Sequence, residues 1–242
     1  MKSVKRGYEP KDRIEFGEEW QGKLNSAAEE LGFLLNRGYH IKSATTFVGN
    51  HYMLSERQRI ALSRMVVSEK QLANRKNKQL RELTDIVHID GFNSVITLEV
   101  ALSESLLIKG LDETIRDLAG LRGTYRLIDK TEPAIRLILS KLDQQKVNKA
   151  VFYLDKPVSN SGRLSALILE IAQEYQVNIT VEVINEVDKT LEKLDHVITS
   201  DAIILDKCIS WFNLILLIIE DLFEKTDNDC HPWVFRLFKE NE

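Results

Sequence analysis

The sequence has few residues that break a chain or crosslink it. Four Pro and 11 Gly in 242 residues leave no linker or low-complexity stretch. The two cysteines, Cys208 and Cys230, lie too far apart for a CxxC pair and have no second pair. That excludes a disulfide framework or a thiolate zinc site and suits reduced thiols in a cytoplasmic protein. No apolar run is long enough to span a bilayer. The longest, 211–219, contains Asn213, stops at Glu220-Asp221 and reads as a buried helix. The polar N-terminus has no apolar h-region, so neither a signal peptide nor a membrane partner is expected. No repeat of fixed period is found. P-loop, GxGxxG, HExxH and GxSxG patterns are all missing. The five histidines are scattered. His88 lies inside an apolar run and reads as a satisfied core residue, and His231 has no ligand partners in sequence.

What is present is a soluble globular composition, 43% hydrophobic and 29% charged. The net charge of −4 hides an asymmetry. Through Glu82 there are 16 Lys and Arg against 10 Asp and Glu; from Leu83 onward there are 17 against 27. A basic front and an acidic back suggest different tasks, a polyanion for the one and divalent cations for the other, although both also suit plain solvated surface.

Residues 1–82 read as a small helical domain. Trp20, Leu24, Ala27, Ala28, Leu31, Leu34 and Leu35 form one stripe of a helix over 18–36, which Gly38 closes. A short helix over 41–48 stops at Gly49-Asn50. The next opens at Ser55 with Gln58 three residues on, a capping box, and a basic stretch continues to Arg81. Short helix, tight turn and basic helix outline a helix-turn-helix module. In that setting Arg37, Tyr39, Arg57 and Arg59 are candidate nucleic-acid contacts, with Tyr39 or Tyr52 stacking on a base. The same residues also suit core aromatics and solvated arginines.

From residue 83 to 242 apolar runs alternate with amphipathic stretches, the pattern of a parallel sheet in an α/β domain. Strands are expected over 86–89, 149–154, 178–183 and 196–198. Helices are expected over 94–107, 111–121, 131–145, 161–175, 201–206 and 210–224. Three strands run into acidic loops: Asp90-Gly-Phe-Asn93, Asp155-Lys-Pro-Val-Ser-Asn-Ser-Gly-Arg163 and Thr199-Ser-Asp201. The carboxyl ends of parallel strands lie on one side, where ligands bind. Carboxylates gathered there repel one another unless a hard cation such as Mg²⁺ or Mn²⁺ joins them. The bland alternative is that Asp90 caps a helix and Asn93 shapes a turn. Ser159, Asn160 and Ser161 open a helix beside Arg163, an arrangement that suits a phosphate or a plain N-cap.

Asp90-Gly-Phe-Asn93 after a first strand and Thr199-Ser200-Asp201 after a late one resemble the PIN/NYN-like nuclease fold over residues 84–220. The resemblance implies a metal-dependent nuclease that hydrolyses phosphodiester bonds, in RNA before DNA. It makes Asp90, Asp155 and Asp201 the catalytic acids and, with Asp117 on a helix, the Mg²⁺ or Mn²⁺ ligands. Asp206 is a further candidate. Thr199 or Ser200 would orient Asp201 or a water, and Asn93 would help hold the phosphate. A second resemblance runs through Asn36-Arg-Gly-Tyr39, Phe47-Val-Gly-Asn50, Ser55-Glu-Arg-Gln-Arg59, Arg116-Asp-Leu-Ala-Gly120 and 153–163. It is to an uncharacterised archaeal and bacterial family that joins a helical domain of unknown function to an α/β domain of unknown function. The rival reading is a non-catalytic nucleic-acid-binding or regulatory protein that senses a phosphorylated ligand through 159–163. A homo-oligomer built on the apolar helix around Trp211 is a third.

Overall fold

The computed structural model describes residues 4–83, 85–120, 123–224 and 231–238. Helices α1 (Asp12–Glu15), α2 (Glu18–Asn36), α3 (Ile41–His51), α4 (Glu56–Met65) and α5 (Glu69–Lys78) make the N-terminal part. The basic stretch after Ser55 is two helices, not one. A second capping box, Ser68 with Gln71, starts α5 after Val66 turns extended. Two adjacent β-branched valines at that point disfavour a continuous helix.

The remainder alternates strand and helix: β1 (Ile86–Asp90), α6 (Gly91–Leu102), β2 (Leu106–Lys109), β3 (Ile115–Asp117), α7 (Thr131–Gln144), β4 (Lys149–Asp155) and α8 (Ser161–Ala172). Then follow β5 (Asn178–Ile184), α9 (Val187–Leu191), β6 (Val197–Ile198), α10 (Ala202–Lys207), α11 (Leu214–Glu224) and β7 (Trp233–Arg236). Four strands form a wholly parallel sheet in the order β5-β4-β1-β6. Its side chains alternate between faces with the strand period of two. Ala150, Phe152 and Leu154 of β4 enter the large core with α6, α7, α8 and α11. Val151 and Tyr153 enter a smaller one with α9, α10 and Trp211. His88 points with the second set, its Nδ1 3.0 Å from the Tyr153 hydroxyl.

A second sheet, ordered β3-β2-β7, was not legible as such. The helix expected over 111–121 is instead the turn and second strand of a hairpin, so Asp117 ends a strand and is not helical. The tail returns as β7 beside β2. Leu106 and Ile108 of β2 lie in the core of the helical part, with Phe235 and Leu237, whereas Leu107 lies in the α/β core. One strand thus serves two cores, and its continuous apolar run gave no period to read.

An ion cluster crosses the same boundary. Arg75 of α5, 1% exposed, reaches Asp112 in the β2–β3 turn at 2.5 Å and Asp206 of α10 at 2.6 Å. Arg116 closes on Asp112 with two bonds, of 2.9 and 2.7 Å. Trp211 is equally buried, its indole N–H donating to the Arg75 carbonyl at 2.8 Å. It is therefore a core residue and offers no surface to a second copy. Removing one member of such a cluster leaves buried charge uncompensated. Asp112→Ala is expected to cost about 3–5 kcal/mol of stability, read as a lower urea midpoint; a change under about 1 kcal/mol would show that the arginines find other partners.

Candidate functional site

The carboxyl edge of the parallel sheet gathers the strand-end acids. Asp90 ends β1 in register with Tyr153 of β4, and β4 runs two residues further to Asp155. Gly91 turns the chain away from the sheet. A Cβ there would stand 2.6 Å from Leu154 Cδ2 and 3.0 Å from the Tyr153 carbonyl, so only glycine fits. Asp90 makes no close capping bond to α6, although the nearby Asn93 N–H lowers its pKa. Its Oδ2 accepts the Thr199 hydroxyl at 2.8 Å, and Thr199 Oγ1 in turn accepts the Asp201 N–H at 3.0 Å. Asn93 Oδ1 takes both the N–H and the hydroxyl of Ser200, at 3.0 and 2.9 Å. The loop from β6 to α10 is thereby sewn to the start of α6. Asp201 caps α10 through Oδ1, accepting from Ile203 and Ile204.

The acids sense one another. Asp90, 7% exposed, has its pKa pushed up to about 7, by burial first and then by Asp201 and Asp188. Asp155 is raised by burial, while accepting the Val187 N–H. Asp188, in the first turn of α9, is raised by burial and then by Asp201 and Asp155. It couples electrostatically to the three acids read from the sequence, and sequence reasoning passed it over. The signal was there: an acid four residues past the end of β5, on the same sheet edge.

Two family models match the chain: a domain of unknown function, DUF5616, over residues 78–216, and a protein family of unknown function, DUF434, over 23–78. The chain belongs to the DUF5616 family. It is also 34% identical over 185 residues to the uncharacterized protein MJ0935 of Methanocaldococcus jannaschii, covering 75% of this chain and 88% of that one. No solved structure matches it.

In this DUF5616 chain the other expected contacts divide into two groups. Arg57 is tied to Asp12 and to the Gly7 and Leu118 carbonyls, and Arg59 to Asn50 and to the Gly49 and Leu54 carbonyls. Arg59 fastens the helical part internally, and Arg57 also ties it to the chain just after β3. Arg37 stacks on Phe33 at 3.5 Å, and Tyr39 is 58% exposed, so these two remain at the surface. Tyr52 donates to Glu30. Ser159 exchanges two hydrogen bonds with the Tyr125 backbone, and Asn160, left-handed at φ 62°, donates to the Tyr125 carbonyl. Those two residues pin the 125 segment, Ser161 is buried, and Arg163 is exposed. Asp117 accepts from the Ala119 N–H and the Thr97 hydroxyl, and lines a cleft with Asn93 and Asp201. Asp206 is held by Arg75 and Gln71. No helix among the described residues is long and apolar enough to cross a membrane.

The donor chemistry of Asp90, Asp155, Asp188 and Asp201 fits a hard cation, all oxygens and largely without basic partners. Among the described residues, however, no three such groups stand together as a formed metal site. The titration has a direct consequence. The folded-state pKa of Asp90 lies above its unfolded value, 3.8 rising to about 7. The folded chain therefore keeps a proton that the unfolded chain has released, and stability falls as pH rises through that window. Urea unfolding between about pH 4 and 7 is expected to show this slope, on the order of a few kcal/mol in total. Asp90→Asn is expected to flatten it relative to wild type; equal slopes in both proteins would place the titration elsewhere.

Proposed function

We propose that this protein is a metal-dependent phosphodiesterase acting on nucleic acid, with RNA favoured over DNA, and that the acidic sheet edge is its active site. One observation carries the reading. Of the four buried carboxylates among the described residues, three are matched by arginine: Asp12 by Arg57, Glu99 by Arg6, and Asp112 by Arg75 and Arg116. Asp90 alone has a hydroxyl in place of a guanidinium, and its charged neighbours are acids. Burying a carboxyl without a cation is costly. A fold that sets an arginine beside each of the others and not beside this one leaves a place for a positive charge from outside.

Mg²⁺ or Mn²⁺ at that edge supplies charge neutralisation and a nucleophilic water at neutral pH. The protein's own residues do the rest. Asp90 and Asp201 present carboxylates whose spacing is set by Thr199, which bonds both residues. Asp155 and Asp188 extend the acidic edge over α9. Asn93 fixes the loop by gripping Ser200 with its oxygen, which leaves its amide N–H groups to a substrate oxygen.

The test combines binding with activity. Mn²⁺ is expected to raise the melting temperature of the wild type by preferential binding to the folded state. The response is expected to disappear in Asp90→Asn and Asp188→Asn. Asp201→Asn isolates charge from structure, because Asn caps a helix as well as Asp does. RNA cleavage is expected to require Mn²⁺ and to fall at least about a hundredfold in Asp90→Asn with the fold intact. Cleavage that persists in chelator, or a melting temperature indifferent to Mn²⁺ in all variants, would sink the reading.

A further inference from the structure

Asp201 belongs to two places at once. On one side it faces the acids of the sheet edge; on the other it lines a cleft of about 280 Å³. The far wall of that cleft comes from the helical part, through Ser63 and Arg64 of α4. Its floor comes from α6 and β3, through Asn93, Ile96 and Asp117. Arg64 reaches across: its Nη1 donates to the Asp117 carbonyl at 2.5 Å. Among the described residues it forms no ion pair, and the guanidinium lines the cleft with donors beyond the one that meets Asp117.

We propose that this cleft is a nucleotide subsite, in which Arg64 takes a phosphate and Asn93 and Asp117 meet the sugar or base. The lining is mixed in the way a nucleotide is mixed. A guanidinium matches phosphate oxygens in a fork. The free Asn93 amide is a donor. Asp117 Oδ2, bound only at 3.3 Å by Thr97, has acceptor capacity left for a hydroxyl or an exocyclic amine. Ile96 offers an apolar patch for a ring face. The volume lies just below the roughly 300 to 1,000 Å³ usual for small-ligand sites, a size that suits a single nucleotide unit. Ser63 and Arg64 give the helical part a role that the lysines and arginines of its outer face do not explain. The proposal deepens the phosphodiesterase reading, since a nucleotide seated here has its neighbouring phosphate beside Asp201.

The experiment titrates adenosine 5′-monophosphate into ¹⁵N-labelled protein in chelator, with inorganic phosphate as the comparison. Shifts are expected at Ser63, Asn93, Asp117 and Gly120, with phosphate alone binding more weakly. Arg64→Ala is expected to weaken nucleotide binding about tenfold or more, and Arg64→Lys to recover part of it. The melting temperature of each variant reports whether it folds. Asp90→Asn separates the two readings. It should lose the Mn²⁺ response and keep nucleotide binding in chelator, whereas Arg64→Ala should do the opposite. Shifts at other residues, equal affinity for inorganic phosphate, or indifference to Arg64→Ala in a folded variant would each overturn the subsite, whatever the metal result.

Discussion

The buried contact of Arg75 with Asp112 is the constraint on which the arrangement depends. It joins three pieces that the chain makes far apart: α5 of the helical part, the β2–β3 turn, and α10 through Asp206. Arg116 extends it to the acidic loop, donating to the Ser200 carbonyl at 2.8 Å while it holds Asp112. The two arginines keep the Asp112 carboxyl well below the usual carboxylate range against the opposing cost of its burial. A hydrophobic replacement of such a cluster is often as stable. What an apolar patch does not supply is direction: here each guanidinium fixes a loop in one orientation, and the loop so fixed carries Asp201.

The α/β half was readable because its elements have clean local signatures. β4 and β5 are β-rich runs bounded by turn residues, and Asp90-Gly91 ends β1 where a close approach to Leu154 demands glycine. The hairpin was not readable for a physical reason. Leu106, Leu107 and Ile108 are buried on both faces, so the strand shows no alternation, and the helix expected over 111–121 rested on apolar spacing that a hairpin also satisfies. β7 failed to show because a strand of four residues after a polar tail gains its meaning only from pairing with β2, some 130 residues earlier in sequence.

The site was legible to the extent that it follows from topology. Parallel strands bring Asp90, Asp155 and the loop that holds Asp201 to one edge, and Thr199 Oγ1 accepts the Asp201 backbone N–H. Side-chain partnership is another matter. Nothing in the spacing of Arg57 or Arg59 distinguishes a phosphate contact from an internal fastener, since their partners Asp12 and Gly49 are set by how α1 and α3 pack on α4. Ser159 and Asn160 likewise meet Tyr125 across 34 and 35 residues, a contact that local turn chemistry does not announce. Asp188 was missed because it lies four residues beyond β5, inside the first turn of α9, and not in the residues that directly end a strand.

The pattern of arginine pairing sets Asp90 apart from the other buried carboxylates among the described residues. Asp12, Glu99 and Asp112 each have a guanidinium built in beside them; burial still raises the pKa of the Asp12 and Glu99 carboxyls, and Asp112, with two arginines, is held below the usual range. Asp90 is buried too, but its hydrogen-bond partners are a neutral hydroxyl and the Asn93 N–H, and its charged neighbours are acids. The fold therefore carries a costly buried carboxyl at the edge where Asp155, Asp201 and, from α9, Asp188 also lie. Selection for stability alone would replace Asp90 with asparagine, which accepts the same Thr199 hydroxyl without the cost of charge. On the proposal of a metal-dependent edge, a cation would be the partner that turns the cost of ionising Asp90 into a gain.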